Sequence, residues 1–306
     1  MANLDTVEIL DTTLRDGAQG QGISFSARDK LAVTRALDEL GVAWIEAGNP
    51  GSNPKDMEFF RQAAGLRLQT ARLCAFGSTR KKGAAARDDA QLRSLLEAGT
   101  EAVVIFGKSW DLHVTEVLRV GLDENLAMIA ETVAFLRENG RRVFYDAEHF
   151  FDGWLANPGY ALATLKAALD SGAERIVLCD TNGGSFPDTI GAGVAAAIQS
   201  GAGPAVTGIH AHNDSGCAVA NTILAVKAGC RHVQGTLAGF GERCGNTALA
   251  AAIPGIELKL SLPCLPEGRL RLISNITWQV AEIANVAVSD DMPYVGANAF
   301  AHKAGM

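Results

Sequence analysis

VTGIHAHNDSGCAVANTILAVKAGCRHVQGTLAGF, residues 206–240, carries the pattern that decides the fold. A short Val/Ile-bearing run (206–211) gives way to a polar turn. A helix-like stretch opens near Ser215, and a second short apolar run follows at 232–236. Strand, helix and strand in that order form a βαβ unit, whose two strands lie parallel. The same alternation recurs outward from this unit, with strand-like runs at 7–11, 43–47, 71–75, 102–106, 143–147 and 175–179. Helices are expected near Ser26, Pro54, Asp89, Asp123, Pro158, Pro187, Ser215 and Asn246, several of them opened by an N-cap residue or a first-turn proline. Eight such units predict an α/β chain folded as a closed (β/α)8 TIM barrel, which typically takes about 250 residues.

The helix expected after Ser26 has Leu31, Val33, Thr34, Leu37 and Leu40 on one stripe, leaving Arg28, Lys30, Asp38 and Glu39 for solvent. Beyond about residue 260, Pro263 and Pro266 break the pattern before another amphipathic stretch at 270–286. The expected division is a barrel over 1–260 and a short C-terminal helical appendage over 261–306. The appendage reads as the start of a linker subdomain, with a further module either missing or never present.

Hydrophobic residues make up 48% of the chain and aromatics 6%, so Ala, Val, Ile and Leu must fill the core, as in layered parallel strands. A net charge of -7 with no basic stripe argues against a nucleic-acid partner. No run of about 18 apolar residues and no leader-like start is present, so no membrane partner is expected and the location reads as cytoplasmic. Six cysteines without metal-ligand spacing read as reduced, with no chemistry assigned.

In such a barrel the chemistry gathers at the carboxyl ends of the strands. DTTLRDGAQG places Arg15, Asp16 and Gln19 after the first strand, although Arg beside Asp is equally an ordinary surface pair. IHAHND sets His210 and His212 two residues apart, on one side of a strand. Two imidazoles, the Asp16 carboxylate and the Asn246 amide from the loop after strand eight form a candidate divalent-metal set with positions left open. FYDAEHFFDG and LCDTNGG bring Glu148 and Thr181 to the barrel mouth, where either could also be a plain strand-end polar residue.

DTTLRDG, HAHND and the GFGERCGN loop together resemble the superfamily of TIM-barrel acyl-transferring synthases and lyases that includes isopropylmalate, homocitrate and citramalate synthases. The segments ISFSARDKL, GNPGSNPKD, FGSTRKKG, IFGKSWDLHVTE and EHFFDGWLANPGYAL resemble its citramalate synthase branch. The resemblance implies condensation of acetyl-CoA with a small 2-oxo acid, pyruvate first, on manganese, magnesium or zinc held by Asp16, His210, His212 and Asn246. It further implies Arg15 at the ketone oxygen, Gln19 and Thr181 at the substrate, and Glu148 at the acetyl methyl group. A homodimer is implied too, with His302 assisting from the appended segment, often in the neighbouring subunit. Three other readings stay open: a larger 2-oxo acid as acceptor, the lyase direction with Cys244 as acid, and an inactive barrel serving as a scaffold.

Overall fold

The computed structural model describes residues 6–302. The outer ends of the expected divisions 1–260 and 261–306, and the last four residues of AFAHKAGM, lie outside the described residues. Eight parallel strands close in chain order: β1 Glu8–Asp11, β2 Trp44–Glu46, β3 Arg72–Ser78, β4 Ala102–Lys108, β5 Arg142–Glu148, β6 Arg175–Asp180, β7 Thr207–Ala211 and β8 His232–Gly235. The last strand returns to the first with Asp11 opposite Gly235. The chain is a TIM barrel, and each expected strand is present.

The helices are α1 Ala27–Leu40, α2 Pro54–Ala63, α3 Ala90–Glu97, α4 Asp111–His113, α5 Leu122–Glu138, α6 Phe150–Ala156, α7 Pro158–Asp170, α8 Pro187–Ala197, α9 Ala218–Ala228, α10 Leu249–Leu260 and α11 Ile273–Ile283. The one-turn α4 runs on into a wider turn, Val114–Leu118. Local sequence explains the starts. Ser26 and Asp29 cap α1 reciprocally, Asn53 caps α2 ahead of Pro54, and Asp89 accepts from Gln91 and Leu92 at the head of α3. α1 ends at Gly41 (φ 95°), where a Cβ would come within 2.6 Å of Pro266 Cδ.

Three expectations need correction. Lys30 is not left to solvent: it is buried, with Nζ 2.7 Å from the Ala47 carbonyl and 2.6 Å from Asp56 Oδ1. Asp38 accepts from the backbone of Gln69, Thr70 and Ala71 and so ties down the approach to β3. Asn246 does not open a helix. Residues 246–248 run extended, with Asn246 bridging to His212 and Ala248 to Thr236, and α10 starts three residues later. The short α6 was not foreseen, since seven residues are too few to display a helical period.

Alternate strand residues point inward. Leu10, Trp44, Cys74, Ala102, Val104 and Phe144 fill the barrel's lower half, with the Trp44 and Phe144 rings edge to face at 5.2 Å. The outer core lies between barrel and helices, and it includes Ile273, Ile276 and Val280 of α11, which packs on α1 and α10. Two residues further along β2 and β5 the inward positions turn polar, at Glu46 and Asp146, while β3 and β4 present Phe76 and Phe106, and that layer positions the site. Among the described residues no helix is long and apolar enough to cross a membrane.

Candidate active site

One step above the apolar plug, β2, β5, β7 and β8 direct Glu46, Asp146, His210 and Gln234 inward, all of them buried. The turn after β1 adds Arg15 and Asp16. Of these, Arg15, Asp16, Asp146 and His210 form the floor of a cavity of about 230 Å³ whose walls include Gln19, Phe76, Phe106, Glu148, Thr181, His212 and Arg243.

Arg15 is held on three sides. Its Nε pairs with Glu46 Oε2, its Nη1 lies 2.9 Å from Asp16 Oδ2, and its guanidinium carbon sits 3.7 Å from the centroid of the Phe76 ring. Phe76 in turn stacks on Phe106, with centroids 5.4 Å apart. A planar cation between two carboxylates and an aromatic face has little freedom to move.

Among the described residues, Asp16, His210 and His212 make the group able to hold a metal ion, with ligand atoms all within 4.8 Å of one another. Protonation states follow from surroundings. Burial pushes the Asp16 carboxyl up, but Arg15 and the two imidazoles overcome it and hold it down at about 2. Burial lowers His210 to about 4 and lowers His212 as well, so both rings are neutral near pH 7. His210 Nδ1 lies 2.9 Å from Gln234 Oε1, and Gln234 Nε2 donates to Asp146 Oδ1 at 2.9 Å. That chain assigns the His210 proton to Nδ1 and leaves the Nε2 lone pair facing His212 Nε2 at 3.3 Å and Asp16 Oδ2 at 3.5 Å. Electron pairs converging this closely call for a cation between them.

Asn246 joins the same centre. Its Nδ2 donates to Asp16 Oδ1 and to the Phe240 carbonyl, each at 2.9 Å, while its Oδ1 is buried without a hydrogen-bond partner. Gly241 (φ 152°) permits this, because a Cβ there would lie 2.2 Å from Asn246 Nδ2. The extended run 246–248 therefore does what the expected helix start would not: it lays the amide against β7.

Opposite the floor, the β4 and β5 ends pair Lys108 Nζ with Glu148 Oε2 at 2.5 Å, and the two residues are register partners. Thr181 follows β6, its hydroxyl accepting from the His149 amide at 2.8 Å. Of the residues singled out from sequence, Arg15, Asp16, Gln19, Glu148, Thr181, His210 and His212 line one cavity, and Asn246 touches Asp16. His302 does not join them; it is exposed and is not among the lining residues.

Sequence reasoning missed Glu46, Asp146 and Gln234. The available signal was a polar residue at an inward position of a buried strand: WIE, FYDAE and HVQG. It also missed the two phenylalanines and Lys108. Beside the main cavity, and sharing Arg15, Gln19 and Phe76 with it, lies a second and more polar space of about 390 Å³, lined also by Ser24, Asn49, Ser52 and Lys55.

Comparison with known proteins places this geometry among relatives. The sequence model of the HMGL-like family matches residues 6–274. The chain is 52% identical to the (R)-citramalate synthase of Synechocystis sp. over 97% of its own length and 56% of that protein's. It is 32% identical to a probable 2-isopropylmalate synthase of Ignicoccus hospitalis, over 98% of the chain and 71% of the relative. It therefore spans little more than half the length of the citramalate synthases it matches. Among solved structures, hydroxymethylglutaryl-CoA lyase from Pseudomonas aeruginosa superposes with a TM-score of 0.76 at 18% identity, over 94% of this chain and 96% of that one, a likeness of fold.

Proposed function

The chain belongs to the HMGL-like family, and from that premise we propose that it joins the acetyl group of acetyl-CoA to pyruvate, giving citramalate and free CoA. The observation that carries this reading is the meeting, in one cavity, of a buried cation-binding group with Arg15 on one side and the Glu148 carboxylate on the other. Identity of about half to citramalate synthases, over nearly the whole chain, supports the same choice.

Asp16, His210, His212 and Asn246 would hold manganese, magnesium or zinc. When bound, the ion polarises the acceptor ketone as a Lewis acid. Arg15 faces the oxygen on which negative charge develops, fixed in advance by Glu46 and Asp16 so that no reorganisation is needed in the reaction. The Thr181 hydroxyl and Gln19 bind the acceptor. Glu148 takes a proton from the thioester methyl group, a very weak acid that yields only to a positioned base. The new carbon–carbon bond then forms to the ketone carbon, and hydrolysis of the thioester releases CoA. His302 of a neighbouring subunit would assist, in a homodimer.

The stacked Phe76 and Phe106 rings give the cavity an apolar wall next to Arg15, against which the acceptor's methyl group would rest. The adjoining polar space gives the CoA arm a place that opens onto the same Arg15.

The test is CoA release, followed with a thiol reagent, from acetyl-CoA and a panel of 2-oxo acids, with EDTA and with added manganese. Metal-dependent release fastest with pyruvate is expected. Preference for 3-methyl-2-oxobutanoate would move the chain to a sister activity, and silence with every acceptor would leave a binding scaffold.

A further inference from the structure

Six non-glycine residues among those described have φ in the left-handed range, where an L side chain crowds its own backbone. Arg119 and Ser261 close helical turns, Asn285 follows α11, and Tyr294 lies in the turns beyond it. The other two, His149 (φ 56°) and Arg243 (φ 52°), stand in the loops after β5 and β8, beside the cavity. Both reach the same residue from different loops. The His149 amide donates to Thr181 Oγ1 at 2.8 Å, and Arg243 Nη2 donates to the Thr181 carbonyl at 2.7 Å.

Each left-handed residue is held in place by its side chain. His149 Nδ1 is 3.0 Å from Asp152 Oδ2, its ring meets the His113 ring at 4.4 Å, and its carbonyl accepts from Gly153 as α6 begins. Arg243 grips Asp214 with two donors, Nε at 2.8 Å and Nη2 at 2.9 Å. Unfavourable backbone survives where its surroundings over-determine it, and such places cluster where a site's geometry has to be kept.

We infer that His149 and Arg243 are positioning residues that clamp Thr181 from its hydroxyl and its carbonyl, so that the hydroxyl proton is presented to the acceptor's carboxylate. The inference rests on the proposed condensation for the identity of the acceptor. The physical step is simple. A hydroxyl has one proton and two lone pairs. The His149 amide occupies a lone pair, so the O–H turns away from that amide, and the carbonyl anchor stops Thr181 from rotating with it. Arg243 also lies three residues before Asn246, so one loop fixes both the amide beside Asp16 and the threonine across the cavity.

The donor from His149 is its backbone, which gives a sharp distinction between substitutions. His149→Gly keeps the amide and tolerates the left-handed φ; His149→Ala keeps the amide but disfavours that φ. In steady-state assays with manganese, His149→Ala and Arg243→Ala are expected to raise the KM for pyruvate about tenfold while the KM for acetyl-CoA stays unchanged, and His149→Gly to restore most of the loss. Arg243→Lys, which cannot hold Asp214 with two donors and reach Thr181 together, should resemble the alanine variant.

Hydrogen exchange provides a readout free of turnover. In Thr181→Val the His149 amide loses its acceptor, and its exchange should accelerate roughly tenfold while the β5 amides keep their protection. Unchanged exchange, or equal KM increases for both substrates in the His149 and Arg243 variants, would overturn the clamp. If the exchange effect appears and the wild-type protein turns over no 2-oxo acid, the condensation reading fails and the clamp stands.

Discussion

Replacing Gln234 by leucine tests how far the cation site depends on a residue that would not touch the ion. The side chain is buried between His210 Nδ1 and Asp146 Oδ1, 2.9 Å from each, so leucine fills similar space and removes both bonds. On the histidine side an N–H is left without an acceptor in a place that water does not reach, at a cost of about 1–3 kcal/mol. The ring can escape by shifting its proton to Nε2, but that removes the lone pair which faces Asp16 and His212. On the Asp146 side the loss is smaller, because burial, with Glu46 adding to it, pushes that carboxyl well up and keeps it neutral.

Loss of an orienting partner of a metal-binding histidine typically lowers affinity by about 10- to 100-fold. At about 1.4 kcal/mol per tenfold this is roughly 1.4–2.8 kcal/mol, within the range for one buried N–H left unpaired. Manganese binding by calorimetry on chelator-stripped protein gives the number, and circular dichroism shows whether the barrel is intact. A Gln234→Leu protein that folds and binds manganese with the wild-type dissociation constant would refute the reasoning from tautomer to affinity.

Three further outcomes are expected. Lys30→Met strips the buried Asp56 of its cation and should cost about 3–5 kcal/mol in urea unfolding, the range for breaking a buried pair from one side; a loss below about 1 kcal/mol would show the pair to be solvated. Phe106→Ala opens the wall beside Arg15 and should lower the preference for pyruvate over 3-methyl-2-oxobutanoate by about 10- to 200-fold in kcat/KM, whereas an unchanged ratio would remove the ring from acceptor selection. At the closed end of the barrel burial lowers the His232 imidazole, so the folded chain resists a proton that the unfolded chain accepts below about pH 6.5; Glu8, lowered by His232 and Arg175 against the effect of burial, does the same below about 4.5. The His232 contribution is present at neutral pH and is lost as the pH falls through about 6.5, whereas that of Glu8 is lost only below about 4.5. Between about pH 7 and 5 the raised Asp11 and Asp146 act the other way, so the check is the difference, the wild-type urea midpoint dropping relative to that of His232→Gln, and identical slopes would exclude that histidine.

The strands were legible because their alternation with helices repeats eight times, and a repeat survives errors in any one unit. His210 and His212 were legible for a related reason: period two is a property of every strand, so a pair two residues apart must share a side. Lys30 was illegible because its partner lies 26 residues away, and nothing within α1 distinguishes a buried lysine from a solvated one. Asn246 failed differently. Residues before an apolar helix read as its start, yet two of them, Asn246 and Ala248, were drawn into bridges with His212 and Thr236 just past β7 and β8, a long-range pairing with no local mark.

The buried acids form one problem that sequence could not pose. Asp16, Glu46 and Asp146 lie in one layer above an apolar plug, and Asp11 is buried in β1 below the Arg15–Asp16 turn. Each carboxylate loses hydration there, and charge must be balanced or removed. Burial pushes Asp146 well up and Asp11 up to about 7, which removes the first charge by protonation and the second in part. Arg15 is shared by Glu46 and Asp16, which leaves one negative charge in excess where Asp16, His210 and His212 turn their lone pairs on one another. A cation at that point would offset that charge. The barrel interior and the proposed chemistry thus make the same demand, and removing Arg15 would strain the fold as well as the reaction: Arg15→Ala should raise the pKa of Asp16 and weaken manganese binding, a change visible by calorimetry without any turnover.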